Sequence, residues 1–141
     1  MPQSILVDTG PLIALFDRDD AFHAAVIEFI RAKRYRFIST TAVLTEVSHM
    51  LDFNTTVQID FLEWVMNGGI TLHPIRQSDI ARIVELTRTY HDRPMDFADA
   101  TLLIAAERTG LRQIISIDSD FDIYRLSGNS AVENVFRPRF R

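Results

Sequence analysis

The chain contains no cysteine. That excludes a disulfide framework, a thiolate zinc site, an iron–sulfur cluster and a cysteine nucleophile, so any metal must be held by oxygen or imidazole. Glycine and proline are scarce, five of each, and no stretch rich in Gly, Pro or Ser reads as a linker. There is no internal repeat and no apolar run of membrane-spanning length, and no basic residue precedes the first apolar stretch as a secretory leader would require. The expectation is a cytoplasmic protein with no membrane partner. Recognised nucleophile and nucleotide signatures are also missing: no G-x-S-x-G, no G-x-x-x-x-G-K-[ST], no G-x-G-x-x-G and no H-E-x-x-H. His23, His49, His73 and His91 are scattered without ligand spacing and read as structural or solvated. Lysine is nearly absent too. Of 15 basic residues all but Lys33 are arginine, the better bidentate phosphate binder, although biased codon usage accounts for the same pattern.

What is present is one domain's worth of chain. The 141 residues, 47% apolar and 24% charged, suit a single globular unit spanning 1–141. Such a chain buries roughly 68% of its unfolded surface, enough for a core without staples. Ser4–Val7 is a short apolar run ended by Asp8-Thr9-Gly10-Pro11, which reads as a buried strand and a turn with proline opening a helix. Helices are expected over Ala21–Lys33, capped by Asp19 or Asp20, over Ala42–Leu51 after a cap at Thr40 or Thr41, and over Thr55–Met66, closed by Gly68-Gly69. Two more are expected over Ser78–Tyr90 and Asp96–Thr109, the latter ended by Gly110. Further strands are expected at Arg36–Ser39, Ile70–His73 and Gln113–Ile117, with a short element near Val135-Phe136. Apolar strands alternating with helices imply right-handed crossovers, a parallel sheet of four to five strands and an α/β class. Ligands of such sheets sit beyond the carboxyl ends of the strands, where the strand order reverses. Two strands here lead into aspartates, Asp8 and Asp118.

The helix after Pro94 has almost no polar face, so it should be buried nearly all round. Asp99 falls among Leu102, Leu103 and Ala106, where an uncompensated carboxylate costs several kcal/mol. Asp96 lies three residues earlier and either caps the helix or shares a site with Asp99. Glu46 borders the apolar stripe of its own helix, a position equally consistent with solvation. Asp8, Glu46, Asp99 and Asp118 thus come from separate elements that could meet at one end of the sheet. Four such anions repel one another unless cations neutralise them, and hard Mg²⁺ or Mn²⁺ with oxygen ligands is the expected solution. Bound ions of this kind activate water for attack on phosphorus and stabilise the leaving oxygen, which points to phosphodiester hydrolysis.

Four segments carry a resemblance over essentially the whole chain: Val7-Asp8-Thr9-Gly10-Pro11-Leu12, Thr41-Ala42-Val43-Leu44-Thr45-Glu46-Val47, Met95-Asp96-Phe97-Ala98-Asp99-Ala100 and Ser116-Ile117-Asp118-Ser119-Asp120-Phe121. In this order and at these separations they resemble the PIN domain, and within it the VapC-like ribonuclease toxins of toxin–antitoxin pairs. The resemblance implies a three-layer α/β/α sandwich and a metal-dependent endoribonuclease, with Asp8, Glu46, Asp99 and Asp118 as an acidic quartet around Mg²⁺ or Mn²⁺. It also implies Asp96 and Asp120 as adjoining acidic positions, and Thr9 and Ser116 as hydroxyl donors to the carboxylates or to water at the metal. A homodimer and inhibition by a VapB-type antitoxin belong to the same expectation.

The charge balance fits an RNA substrate once the six acids are assigned to a metal site. With six of the 19 acidic residues set aside, 13 remain against 15 basic ones, a net of +2. Arg34 and Arg36, within a cluster with Arg31, Lys33 and Tyr35, and Arg137 and Arg139 near the end of the chain, are candidate backbone contacts; a solvated face is the alternative for both clusters. Phe22, Phe29, Phe61 and Trp64 read as core or dimer-interface residues rather than base-stacking platforms. Two rival functions are distinguishable. A dehalogenase-like Mg²⁺ phosphatase would want a second aspartate two residues after Asp8, where Gly10 stands, and a receiver domain would want a late lysine. A PIN-fold RNA-binding or scaffold module without catalysis would have no need of the quartet.

Overall fold

The computed structural model describes residues 2–93 and 95–138. Five strands, β1 (Gln3–Val7), β2 (Tyr35–Ser39), β3 (Ile70–Leu72), β4 (Gln113–Ile115) and β5 (Glu133–Asn134), form one sheet in the order β3-β2-β1-β4-β5. All four pairings are parallel. Among the described residues six α-helices flank it: α1 (Thr9–Phe16), α2 (His23–Ala32), α3 (Thr41–Met50), α4 (Thr55–Met66), α5 (Ile80–Thr89) and α6 (Phe97–Thr109). This is the α/β architecture expected from the alternation of strands and helices. Among the described residues no helix is long and apolar enough to cross a membrane.

Burial explains the layout. Ile5, Leu6 and Val7 of the central strand are all buried, as a parallel strand covered on both faces must be. From Ala98 to Ala106 every residue of α6 is buried. Asp96 caps that helix by accepting the Asp99 N–H at 2.7 Å, and Gly110, at φ 78°, ends it in the left-handed region that glycine enters without strain. Phe61 is fully buried and meets Phe16 and Trp64 in an aromatic cluster, a core role for two of the singled-out aromatics.

Where elements depart from expectation, side chains have taken over backbone groups. Helix α2 begins at His23 rather than Ala21, because the Asp20 carboxylate accepts the Phe22 N–H at 2.8 Å and holds a turn ahead of it; Asp19 does not cap. Strand β4 ends at Ile115, two residues short of Ile117. The side-chain amide of Asn134 accepts the Ser116 N–H at 3.2 Å and donates to the Ser116 carbonyl at 3.0 Å, replacing the next rungs of the ladder. The last strand accordingly lies at Glu133–Asn134, ahead of Val135-Phe136. A 3₁₀ turn, Gln77–Asp79, precedes α5 and absorbs the expected start at Ser78.

Candidate active site

The chain lays β2 and β3 on one side of β1, then crosses to place β4 and β5 on the other. The order therefore reverses between β1 and β4, and a crevice opens beyond their carboxyl ends. Asp8 leaves β1 there, its N–H still bonded to the Ile115 carbonyl at 3.0 Å. Gly10 permits the close approach that follows: a Cβ at this position would lie 3.2 Å from Ile117, so a side chain would press the first turn of α1 away from the segment leading to Asp118.

Six carboxylates, those of Asp8, Glu46, Asp96, Asp99, Asp118 and Asp120, line one cleft of about 480 Å³ at this edge. The structure thus brings together the whole acidic set expected from the sequence. Each member of the quartet is held by a neutral donor. Asp8 accepts from the Thr9 N–H and from Ser116 Oγ, both at 2.8 Å. Glu46 accepts from Thr9 Oγ1 at 2.8 Å, Asp118 from the Asp120 N–H at 3.1 Å, and Asp99 from the Tyr124 hydroxyl at 3.0 Å. Among the described residues no arginine or lysine pairs with any of the six.

Unneutralised burial sets the electrostatics. Asp99 is 7% exposed, and burial, followed by the charges of Asp8 and Asp96, pushes its carboxyl up to about 8, against the pull of Tyr124. Burial raises Asp8 to about 7, with Asp118 and Asp96 adding to the rise and the Thr9 and Ser116 bonds opposing it. Glu46 and Asp118 are raised as well, burial again the largest cause. A cleft whose buried carboxylates are pushed up with no cation beside them is a cleft short of positive charge. Their oxygens make a hard donor set suited to a divalent cation. Among the described residues no three of these side chains are already gathered around one point as ligands, so small side-chain adjustments would accompany binding.

Other positions behave less uniformly. Arg34 and Arg36 lie just before and within the first residues of β2, at the opposite end of the sheet from the cleft. Arg137 lies past β5 on the cleft's end of the sheet and pairs with Asp122 at 3.1 Å; Arg139 is outside the described residues. His49, which reads in the sequence as structural or solvated, is exposed and stands on the cleft wall. Two contributors had no signal in the sequence: Tyr124, which holds Asp99, and Asn134, which fixes the backbone of Ser116. Each acts on a residue far from it along the chain, where no spacing rule applies.

Comparisons with known proteins agree with this geometry. A family model described as PIN domain matches residues 5–126. The chain is 25% identical over 116 residues to Ribonuclease VapC26 of Mycobacterium tuberculosis (strain ATCC 25618 / H37Rv), covering 81% of this chain and 86% of that protein. The fold is similar to the crystal structure of Mycobacterium tuberculosis VapC20, described as a Sarcin-Ricin loop cleaving toxin. The TM-score is 0.76 at 19% identity, over 84% of this chain and 92% of that one.

Proposed function

The chain belongs to the PIN domain family, and from that membership we propose that it is a divalent-metal-dependent endoribonuclease acting as the toxin of a VapBC-type pair. The observation that carries the reading is the quartet of Asp8, Glu46, Asp99 and Asp118, converging from four elements at the switch point with neutral donors and, among the described residues, no cationic partner. A structural role for these acids would call for arginines beside them. A catalytic role leaves their charge free for ions that the substrate phosphate also needs.

Asp8, Asp99 and Asp118 would hold Mg²⁺ or Mn²⁺, with Asp96 and Asp120 at the margin. When bound, the ion supplies charge neutralisation at the phosphate and acidifies the attacking water. The chain's own side chains do the remainder. Ser116 and the Thr9 N–H fix Asp8, and Tyr124 fixes Asp99, so that their oxygens keep one orientation. Glu46 is half-buried and raised above the ordinary carboxylate range, while Thr9 holds its Oε2; it is suited to take the proton of the attacking water. The water oxygen then bonds to phosphorus, the bond to the leaving ribose oxygen breaks, that oxygen takes a proton from solvent water, and Glu46 gives its own proton back to solvent. Arg137 is the better placed of the candidate RNA contacts, and Arg34 and Arg36 would serve only an RNA long enough to pass to the far end of the sheet.

Exposed apolar side chains on α4 (Ile59, Leu62, Met66) and α5 (Ile80, Val84) offer surfaces for a second copy and for a VapB-type antitoxin, and the site of action is the cytoplasm. The deciding experiment incubates purified chain with total cellular RNA and with a sarcin–ricin loop oligonucleotide, in Mn²⁺ or Mg²⁺, against EDTA and Asp8→Asn. Metal-dependent cleavage lost in the variant is expected. Cleavage that survives in Asp8→Asn, or that EDTA leaves intact, would sink the assignment, and RNA binding without cleavage and indifferent to EDTA would favour the scaffold reading.

A further inference from the structure

Tyr124 does not line the cleft but sits behind it in the core, 2% exposed, with its hydroxyl on Asp99. Its ring has no room to swing. Phe121 meets it edge-on at 5.3 Å and 83°, and Tyr90 at 5.0 Å and 64°. The Tyr90 hydroxyl in turn accepts the Arg125 N–H at 2.7 Å, which pins the backbone next to Tyr124. The one remaining freedom, rotation of the hydroxyl proton, is spent on Asp99 Oδ2 at 3.0 Å. Asp99 also lines the cleft, so its carboxylate is held on the core side through one oxygen and offers the other to the cleft. Phenylalanine would fill the same volume, with the same ring contacts, and lack only the donor.

We propose that Tyr124 is a positioning residue whose hydroxyl aims the Asp99 carboxylate at the divalent ion, an assignment that rests on the nuclease reading above. A tyrosine suits this role better than arginine or lysine would. It orients the carboxylate without cancelling its charge, so Asp99 keeps its full attraction for the ion.

The test is Mn²⁺ binding by calorimetry to the wild-type chain, Tyr124→Phe and Tyr90→Phe, with melting of each metal-free protein. Loss of an outer-shell donor typically weakens metal affinity about tenfold or more. Tyr124→Phe is expected to bind Mn²⁺ about tenfold more weakly, while its metal-free melting temperature falls only by the few degrees that one lost hydrogen bond costs. Tyr90→Phe, which frees the Arg125 N–H but leaves the Tyr124 hydroxyl in place, is expected to weaken Mn²⁺ binding by clearly less than Tyr124→Phe does. Equal affinity in Tyr124→Phe and wild type overturns the positioning role and leaves the nuclease reading untouched. A wild-type chain that binds no Mn²⁺ overturns the nuclease reading and this one with it. Should Tyr124→Phe fold poorly, the wild-type protein answers by itself, because it has only three tyrosines. With ¹³C at the tyrosine ring carbon bearing the hydroxyl, and signals assigned through Tyr35→Phe and Tyr90→Phe, the Tyr124 resonance is expected to move on addition of Mg²⁺ while that of Tyr35 does not. A Tyr124 signal indifferent to saturating Mg²⁺ overturns the proposal.

Discussion

Near the start of α6, Asp99 is buried with a tyrosine hydroxyl as its side-chain donor; near the end of the same helix, Arg108 reaches the equally buried Asp79, and Glu107 takes a forked pair of bonds from Arg82. The two ends treat buried charge in opposite ways. At the α5–α6 flank each acid has a cation beside it. Burial pushes the Glu107 carboxyl up, but the Arg82 and Ser127 hydrogen bonds and the Arg82 charge outweigh it and hold the group below the ordinary range. At the cleft the same burial goes unanswered, and the carboxylates rise. The lesson is that a buried acid tied to arginine is finished as a structural unit, whereas a buried acid tied only to neutral donors is waiting for charge from outside.

The largest effect should come from exchanging the roles. Asp99→Asn is expected to reduce RNA cleavage to background while leaving the metal-free melting temperature unchanged or higher, since it removes one of several mutually repelling anions; gel assays and calorimetry read both. An active Asp99→Asn would erase the contrast. Next, Mn²⁺ at a hundredfold excess over its dissociation constant should stabilise the wild-type chain by about 2.7 kcal/mol and Asp99→Asn by far less, as thermal melting would reveal. Asp79→Ala should do the reverse. It strands Arg108, and because that arginine remains a third exposed the cost is expected at about 2–3 kcal/mol, below that of a fully buried pair. Cleavage per folded molecule should be unaffected, so a catalytic loss at constant fold would show that the two regions are not independent.

The gentlest test is pH. In metal-free protein Asp8 and Asp99 keep protons up to about pH 7 and 8 that the unfolded chain releases near its ordinary value of 3.8. The stability tied to those protons is full below about pH 4 and is lost as pH rises through 7 and 8. Glu107 has the opposite slope: its contribution is present above its ordinary 4.5 and disappears as pH falls through its lowered folded value. Melting scans of metal-free wild type and Glu107→Gln from pH 3 to 9 should separate the limbs, the variant losing only the acid-side decline. Saturating Mg²⁺ should flatten the alkaline-side decline, and a decline indifferent to Mg²⁺ would detach it from the cleft.

Much of this was legible in the residues because the signals were local. An aspartate on a helix as apolar as α6 announces itself by conflict with its neighbours, and Asp8 and Asp118 follow apolar runs that can only be strands. Helix α4 runs over the expected Thr55–Met66, since Asn54 caps it by accepting the Thr56 and Val57 N–H groups. What could not be read lies in pairings across the chain. Ser116 and Asp8 are 108 residues apart, Asn134 stops β4 from outside it, and Tyr124 approaches Asp99 from 25 residues downstream. Such bonds leave no periodicity. The arginines near Arg34 are the converse case, since composition can suggest a phosphate contact but not the end of the sheet on which it falls.

The central strand pairs on one side with β2, which follows within some thirty residues, and on the other with β4, more than a hundred residues later. During synthesis the edge of β1 next to Asp8 therefore stays bare until β4 has been made, and Asp99 has no donor until Tyr124 has emerged. The cleft therefore stays incomplete while the strands are being laid down, and its last donors arrive with Tyr124 and Asn134.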